Sequence, residues 1–184
     1  MEENIDMINY IGNCSALINW DLVIRELEDQ KPAYVGPKHK EGDPIPQLKE
    51  VTDLWNTAGY KTAAEGGTVA WDMFFPGDNF DSKVADRFGD FANVSRYTTC
   101  WISRVWPGYF APQHWDVMDD ESSRPDVKRF HCHIGQPEFG HVFIVGNQCL
   151  YGQPQGATFE WSSRKLWHAG TNCGLKPKYI LNFW

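Results

Sequence analysis

The spacing of hydrophobic positions changes once along the 184-residue chain, near residue 95. Before that point it is helical. Trp20, Val23, Ile24 and Leu27 fall at i, i+3, i+4 and i+7, which predicts an amphipathic helix that Pro32 ends. Leu48, Val51, Leu54, Trp55 and Ala58 predict a second helix, opening near Asp43-Pro44 and stopped by Gly59. Val84, Phe88 and Phe91 predict a short third one, capped by Asn79 or Asp81. Residues 33–44 read as a loop and residues 69–75 as a strand.

From residue 97 the pattern is that of strands. The runs YTTCWISRVW, YFAPQHWD, KRFHCHIG, FGHVFIVG, NQCLY, ATFEW, RKLWH and KYILNFW are rich in aromatic and β-branched residues. Pro, Gly, Asn or Ser separates them, as in an antiparallel sandwich or barrel. Gly146-Asn147 predicts a two-residue hairpin with Gly at its first central position. The expected fold is mainly β with N-terminal helices (α+β), in a single domain over residues 1–184. Residues 1–95 would buttress an eight-stranded jelly roll formed by residues 96–184.

Composition sharpens this. Nine Trp, seven Tyr and eleven Phe exclude disorder and favour an aromatic β core. A net charge of −7 argues against nucleic acid as a partner, because phosphate binding needs clustered Lys and Arg. No apolar window is long enough to span a membrane, and the first ten residues are acidic where a signal peptide is basic. A cytoplasmic, intracellular protein is expected. Cys14, Cys100, Cys132, Cys149 and Cys173 are odd in number and contain no C-x-x-C, which points to buried reduced thiols.

The candidate chemistry lies in the β half. His114 and Asp116 share one face of a strand, so imidazole and carboxylate can take neighbouring positions on a metal. His168, from a distant strand, supplies a third ligand. Two His and one carboxylate with three positions left open is the arrangement of non-haem Fe(II) oxygenases. An H-x-D or H-x-E pair alone arises by chance about once in a chain with six His and 24 acidic residues. The added weight comes from the Pro107-Gly108 turn before it, the distal His in the same β half, and Lys178 ten residues beyond His168. In the run His131-Cys132-His133 the two imidazoles share a face and the thiol takes the other, so the three cannot close on one ion without a bend. A structural zinc built with Cys149 or Cys173 lacks the usual close ligand spacing. His39 and His141 read as structural or exposed, and the acidic run 119–121 as solvated or part of a lid.

The stretches SRVWPGYFAPQHWD, RFHCHIG, LWHAGTN and KYILNFW resemble the double-stranded β-helix, or cupin-like, core of Fe(II)/2-oxoglutarate-dependent oxygenases. Their texture is nearest to the aspartyl/asparaginyl β-hydroxylase-like group, and the resemblance covers about residues 100–184. It implies that His114, Asp116 and His168 hold Fe(II). It implies that Lys178, where the family usually has Arg, pairs with the distal carboxylate of 2-oxoglutarate, and that Ser103 hydrogen-bonds the same carboxylate. Arg129 and His131 occupy an Arg-x-His strand that contacts cosubstrate or substrate. The implied activity is O2-dependent hydroxylation of an unactivated C–H bond, with 2-oxoglutarate decarboxylated to succinate. The substrate would be an amino-acid side chain, free or in a polypeptide, or another small molecule. Two features depart from that group: Asp116 is present where some of its members lack a carboxylate ligand, and the segment 117–127 is longer. Two other readings use the same pocket: a non-catalytic cupin-type module that binds a small ligand, and a cupin metalloenzyme that does not use 2-oxoglutarate.

Overall fold

The computed structural model describes residues 8–36, 46–95, 97, 99–115, 128–161 and 166–184, with the side chains of 46–49 excepted. In chain order the elements are β1 (Asn9–Asn13), α1 (Trp20–Glu28), β2 (Tyr34–Gly36), α2 (Pro46–Thr57), β3 (Trp71–Phe74), α3 (Lys83–Ala92), β4 (Cys100–Val105), β5 (Phe110–His114), β6 (Arg129–His133), β7 (His141–Val145), β8 (Gln148–Tyr151), β9 (Ala157–Trp161), β10 (His168–Asn172) and β11 (Lys178–Phe183).

The strands form two antiparallel sheets. The larger runs β1-β9-β6-β11-β4-β3-β2 and the smaller runs β5-β10-β7-β8. The pairs β7·β8, β6·β9, β5·β10 and β4·β11 are nested around the β7–β8 hairpin. Folding one long nested hairpin over itself so that its pairs alternate between two sheets is the jelly roll. The mainly β fold expected from the strand runs is therefore present. At the hairpin tip Gly146 takes a φ of 55°, as the Gly-Asn turn requires.

The period-2 alternation of the larger sheet sorts its residues by face. On the outer face Cys100, Ile102, Phe130, Cys132, Leu181 and Phe183 pack against Trp20, Val23 and Leu27 of α1 and Ala85 and Phe88 of α3. The alternate positions turn inward: Ser103 on β4, Arg129, His131 and His133 on β6, and Lys178 and Asn182 on β11. The sheet thus separates an apolar helix-covered side from a side that carries polar and titratable groups.

Helix α1 starts where expected, with the Asn19 side chain accepting from the Leu22 amide at 3.1 Å. Helix α3 differs in its start. Its cap is Ser82, while the Asp81 carboxylate accepts from the Lys83 amide and Asn79 closes the preceding turn by accepting from Phe75. The loop expected over 33–44 is partly a strand, because β2 adds to the edge of β3. A side chain at Gly36 would collide with the Trp71 indole, 2.3 Å from its would-be Cβ, so that strand needs glycine there. Of the run RKLWH, Leu166 and Trp167 precede the strand and β10 begins at His168, while residues 164 and 165 lie outside the described residues. The proposed start of α2 near Asp43-Pro44, and His39, lie outside the described residues.

Candidate metal centre and the buried cation beside it

Strand pairing brings the two distant histidines together. His114 ends β5, His168 opens β10, and they are direct partners in the β5·β10 register. Their ring centroids are 4.3 Å apart. His114 Nδ1 lies 2.6 Å from the Pro112 carbonyl and His168 Nδ1 3.0 Å from the Leu166 carbonyl, each two residues upstream of its own ring. A carbonyl needs a donor, so each ring carries a proton on Nδ1, and the neutral ring presents its lone pair at Nε2. Backbone anchoring of one ring nitrogen is the usual way a metal-binding His is oriented. The pair therefore suits a divalent metal that accepts imidazole. Asp116 lies outside the described residues, as does the segment 117–127 with its acidic run; among the described residues no group of three potential ligands is formed.

The pair is held from behind by aromatic rings. Trp71 stacks on His114 with an interplanar angle of 9°, and Trp55 meets it edge-on at 5.9 Å. The Trp55 indole also donates to the Gln113 carbonyl at 2.8 Å, fixing the strand on which His114 sits. Trp55 reads from the sequence as general helix-to-sheet packing; its contact with the His114 strand is not visible there.

Lys178 stands deeper in the same interior. It is 2% exposed, and its ammonium donates to the Val142 carbonyl of β7 at 2.6 Å. It lies 5.9 Å from the Phe143 ring. No described carboxylate forms an ion pair with it, and burial pushes the amine down to about 7 from its ordinary 10.5. A Cβ added to Gly170 would stand 3.6 Å from Nζ. Gly170 is two residues beyond His168 on the same face, and a strand advances about 7 Å in that step. The cation therefore sits roughly one short dicarboxylic acid's length from the histidine pair.

Ser103 lies on the inner face diagonally across from Lys178, since Ile180 pairs with Ser103 and Lys178 with Val105. Its oxygen accepts from the Trp101 indole at 2.9 Å and from the Asn182 amide at 3.0 Å. With both lone pairs engaged, the hydroxyl proton is left to donate. Arg129, 2% exposed, places its guanidinium over the Trp184 ring at 5.6 Å. His131 stacks on Phe143 with centroids 3.7 Å apart. Burial first, then the neighbouring His133 and Lys178, hold the His131 imidazole well below its usual range and keep it neutral. As expected, Cys132 points away from both flanking imidazoles, its sulfur 3.5 Å from that of Cys14 in the outer core. Cys149 and Cys173 are exposed, unlike the buried thiols the sequence predicts. His141, by contrast, is buried and engaged with the Lys176 carbonyl at 3.0 Å.

Against known proteins, no family model matches the chain and no curated protein matches it. Several solved structures are similar to it. A prolyl hydroxylase from Trichoplax adhaerens, solved with a hypoxia inducible factor peptide fragment, is 12% identical at a TM-score of 0.46, covering 90% of this chain and 88% of that one. A Pseudomonas putida prolyl-4-hydroxylase is 13% identical at a TM-score of 0.45, covering 91% and 98%. A 2OG-Fe(II) oxygenase family oxidoreductase from Burkholderia pseudomallei is 21% identical at a TM-score of 0.34, covering 56% of this chain and 51% of its own. A predicted oxalate decarboxylase from Thermotoga maritima is 11% identical at 0.37, covering 62% and 78%. The strand nesting described above carries the fold assignment by itself. Among the described residues no helix is long and apolar enough to cross a membrane.

Proposed function

We propose that the protein is an Fe(II)- and 2-oxoglutarate-dependent oxygenase that hydroxylates an unactivated C–H bond. The observation that carries this reading is the pairing of two features inside one jelly roll. Two backbone-anchored histidines face each other, and a fully buried ammonium with no described carboxylate partner lies beside Gly170, two residues along the same strand from His168. A buried charge is costly unless a partner neutralises it, so Lys178 is best understood as held for an anionic ligand.

In this reading His114 and His168 hold the metal through Nε2, with Asp116 as the third ligand. Bound there, Fe(II) would supply the redox chemistry that couples decarboxylation of 2-oxoglutarate to hydroxylation by O2. Lys178 neutralises the distal carboxylate, and the Ser103 hydroxyl donates to it. Arg129 and His131 line the wall toward the metal and contact cosubstrate or substrate. Phe143 and Trp161, packed against the His131 and His168 rings, exclude water from the reacting end. The aspartyl/asparaginyl β-hydroxylase-like texture of the sequence favours an amino-acid side chain as substrate, free or in a polypeptide.

The test is turnover without added substrate. Purified protein given Fe(II), O2 and 2-oxoglutarate should release succinate slowly, and His114→Ala should stop it. A well-folded wild-type protein that holds Fe(II) but consumes no 2-oxoglutarate would favour the binding-module or cosubstrate-independent reading instead.

A further inference from the structure

Three imidazoles, those of His131, His133 and His141, line the barrel interior near Lys178. His131 Nε2 is buried without a hydrogen-bond partner, but it stands outside the cleft that His133 and His141 share with Lys178. Those two differ in one respect. His141 is engaged through Nε2 with the Lys176 carbonyl at 3.0 Å, and Glu138 lies 3.7 Å away. His133 is 6% exposed, and its Nε2 is fully buried with no hydrogen-bond partner. A buried ring nitrogen left unmatched destabilises the empty protein and calls for a ligand or a functional explanation.

The register gives His133 its neighbour. Ile180 pairs with His133 on β6 and with Ser103 on β4, so Lys178 lies diagonally between them on one face. His133, His141 and Lys178 line one cleft, together with Gly135, Glu138 and Gln153. The acid of that cleft is committed elsewhere: Glu138 accepts from the Leu175 amide at 2.7 Å and the Lys176 amide at 3.0 Å. The cleft thus brings together an ammonium without a described counter-charge and an imidazole nitrogen without a partner. A carboxylate has about four lone-pair sites, more than Lys178 and Ser103 alone use.

We propose that His133 is a further donor to the distal carboxylate of the dicarboxylate cosubstrate, acting from β6 beside Lys178 on β11. The inference rests on the oxygenase reading above and adds a residue to it. Burial and the Lys178 charge hold the His133 imidazole down to about 3, so it binds as a neutral ring with one N–H. It therefore contributes a directed hydrogen bond without adding a second charge to a dry pocket. Such a bond reads the far carboxylate and is indifferent to the keto-acid end.

The experiment uses Zn(II)-loaded protein, which is redox-silent and diamagnetic, and two probes. 2-Oxoglutarate carries the distal carboxylate; 2-oxopentanoate has the same chain without it. By titration calorimetry, His133→Phe should weaken 2-oxoglutarate about tenfold to a hundredfold, the usual value of a hydrogen bond to a charged group. It should leave 2-oxopentanoate within about twofold, within the usual spread of a neutral surface or packing change. In wild-type protein the His133 ring nitrogen signals should shift with 2-oxoglutarate and stay in place with 2-oxopentanoate, a readout that does not depend on the variant folding. Equal weakening of both probes, or ring signals that ignore 2-oxoglutarate while it binds, overturns the role of His133 alone. Wild-type protein that binds neither probe overturns the oxygenase reading as well.

Discussion

Replacing Lys178 by Met should make the metal-free, ligand-free protein more stable. The side chain is buried and its amine is displaced from 10.5 to about 7 by desolvation. Each tenfold change in proton affinity is worth about 1.4 kcal/mol, so at pH 7 the buried amine costs the folded state about 4 kcal/mol relative to a neutral side chain. Met keeps most of the aliphatic volume, and losing the bond to the Val142 carbonyl returns about 1–2 kcal/mol. The net gain is about 2–3 kcal/mol, or about 5–10 °C in Tm for a chain of this size. The sign with pH follows from the lowered value. Between about 7 and 10.5 the unfolded chain binds the extra proton, so wild-type stability rises with pH across that window and the advantage of Lys178→Met shrinks, by about 2 kcal/mol at pH 9. Thermal unfolding of both proteins at pH 7 and pH 9 measures this. A variant less stable than wild type at pH 7, or a gap that ignores pH, would mean that Lys178 already has its counter-charge in the protein.

The same residue predicts a pH-dependent affinity. A bound carboxylate restores the amine's proton, so the Kd for 2-oxoglutarate should rise about tenfold per pH unit above 7, with proton uptake on binding seen by calorimetry in two buffers; a flat profile contradicts this. Gly170→Val places branched carbons in the space beside Nζ. It should weaken 2-oxoglutarate at least tenfold while leaving Zn(II) affinity unchanged, and equal loss of both would mean that the strand itself has moved. Asn172 is fully buried and ties the turn before β11 through Val105, Lys176 and Gly174. Asn172→Ala should cost about 3–5 kcal/mol, since three backbone groups lose their partner at once; a loss under 1 kcal/mol in denaturant titration would show that the turn does not depend on it.

The jelly roll is readable from the sequence because its strands are short runs rich in aromatic and β-branched residues, separated by Pro, Gly, Asn or Ser. The outer helices are readable because Trp20, Val23 and Leu27 repeat at helical spacing. What escapes reading has specific causes. β1 lies at the sheet edge with a half-exposed, irregular burial pattern, and β2 is three residues long, too short for any periodicity. β10 hides because Ala169 and Gly170 lack the bulk that marks a strand, and Gly170 is the position whose smallness leaves room beside Lys178. The meeting of His114 with His168 was legible as a possibility, since both fall in strand contexts. The direct register between them depends on the nesting of the pairs, which no local pattern encodes. The polar interior follows the same logic: Ser103, His131 and His133 can be assigned to strand faces from parity, but their convergence on Lys178 depends on β6 and β4 flanking β11.

If one cavity holds a metal at His114 and His168 and a dicarboxylate at Lys178, anaerobic addition of Fe(II) and then 2-oxoglutarate to the protein will show both sites together. A weak visible charge-transfer band should appear that needs both additions, disappears in His168→Ala, and in Lys178→Met forms only at much higher 2-oxoglutarate. Well-folded wild-type protein that binds Fe(II) without developing the band on saturation with 2-oxoglutarate would contradict that arrangement.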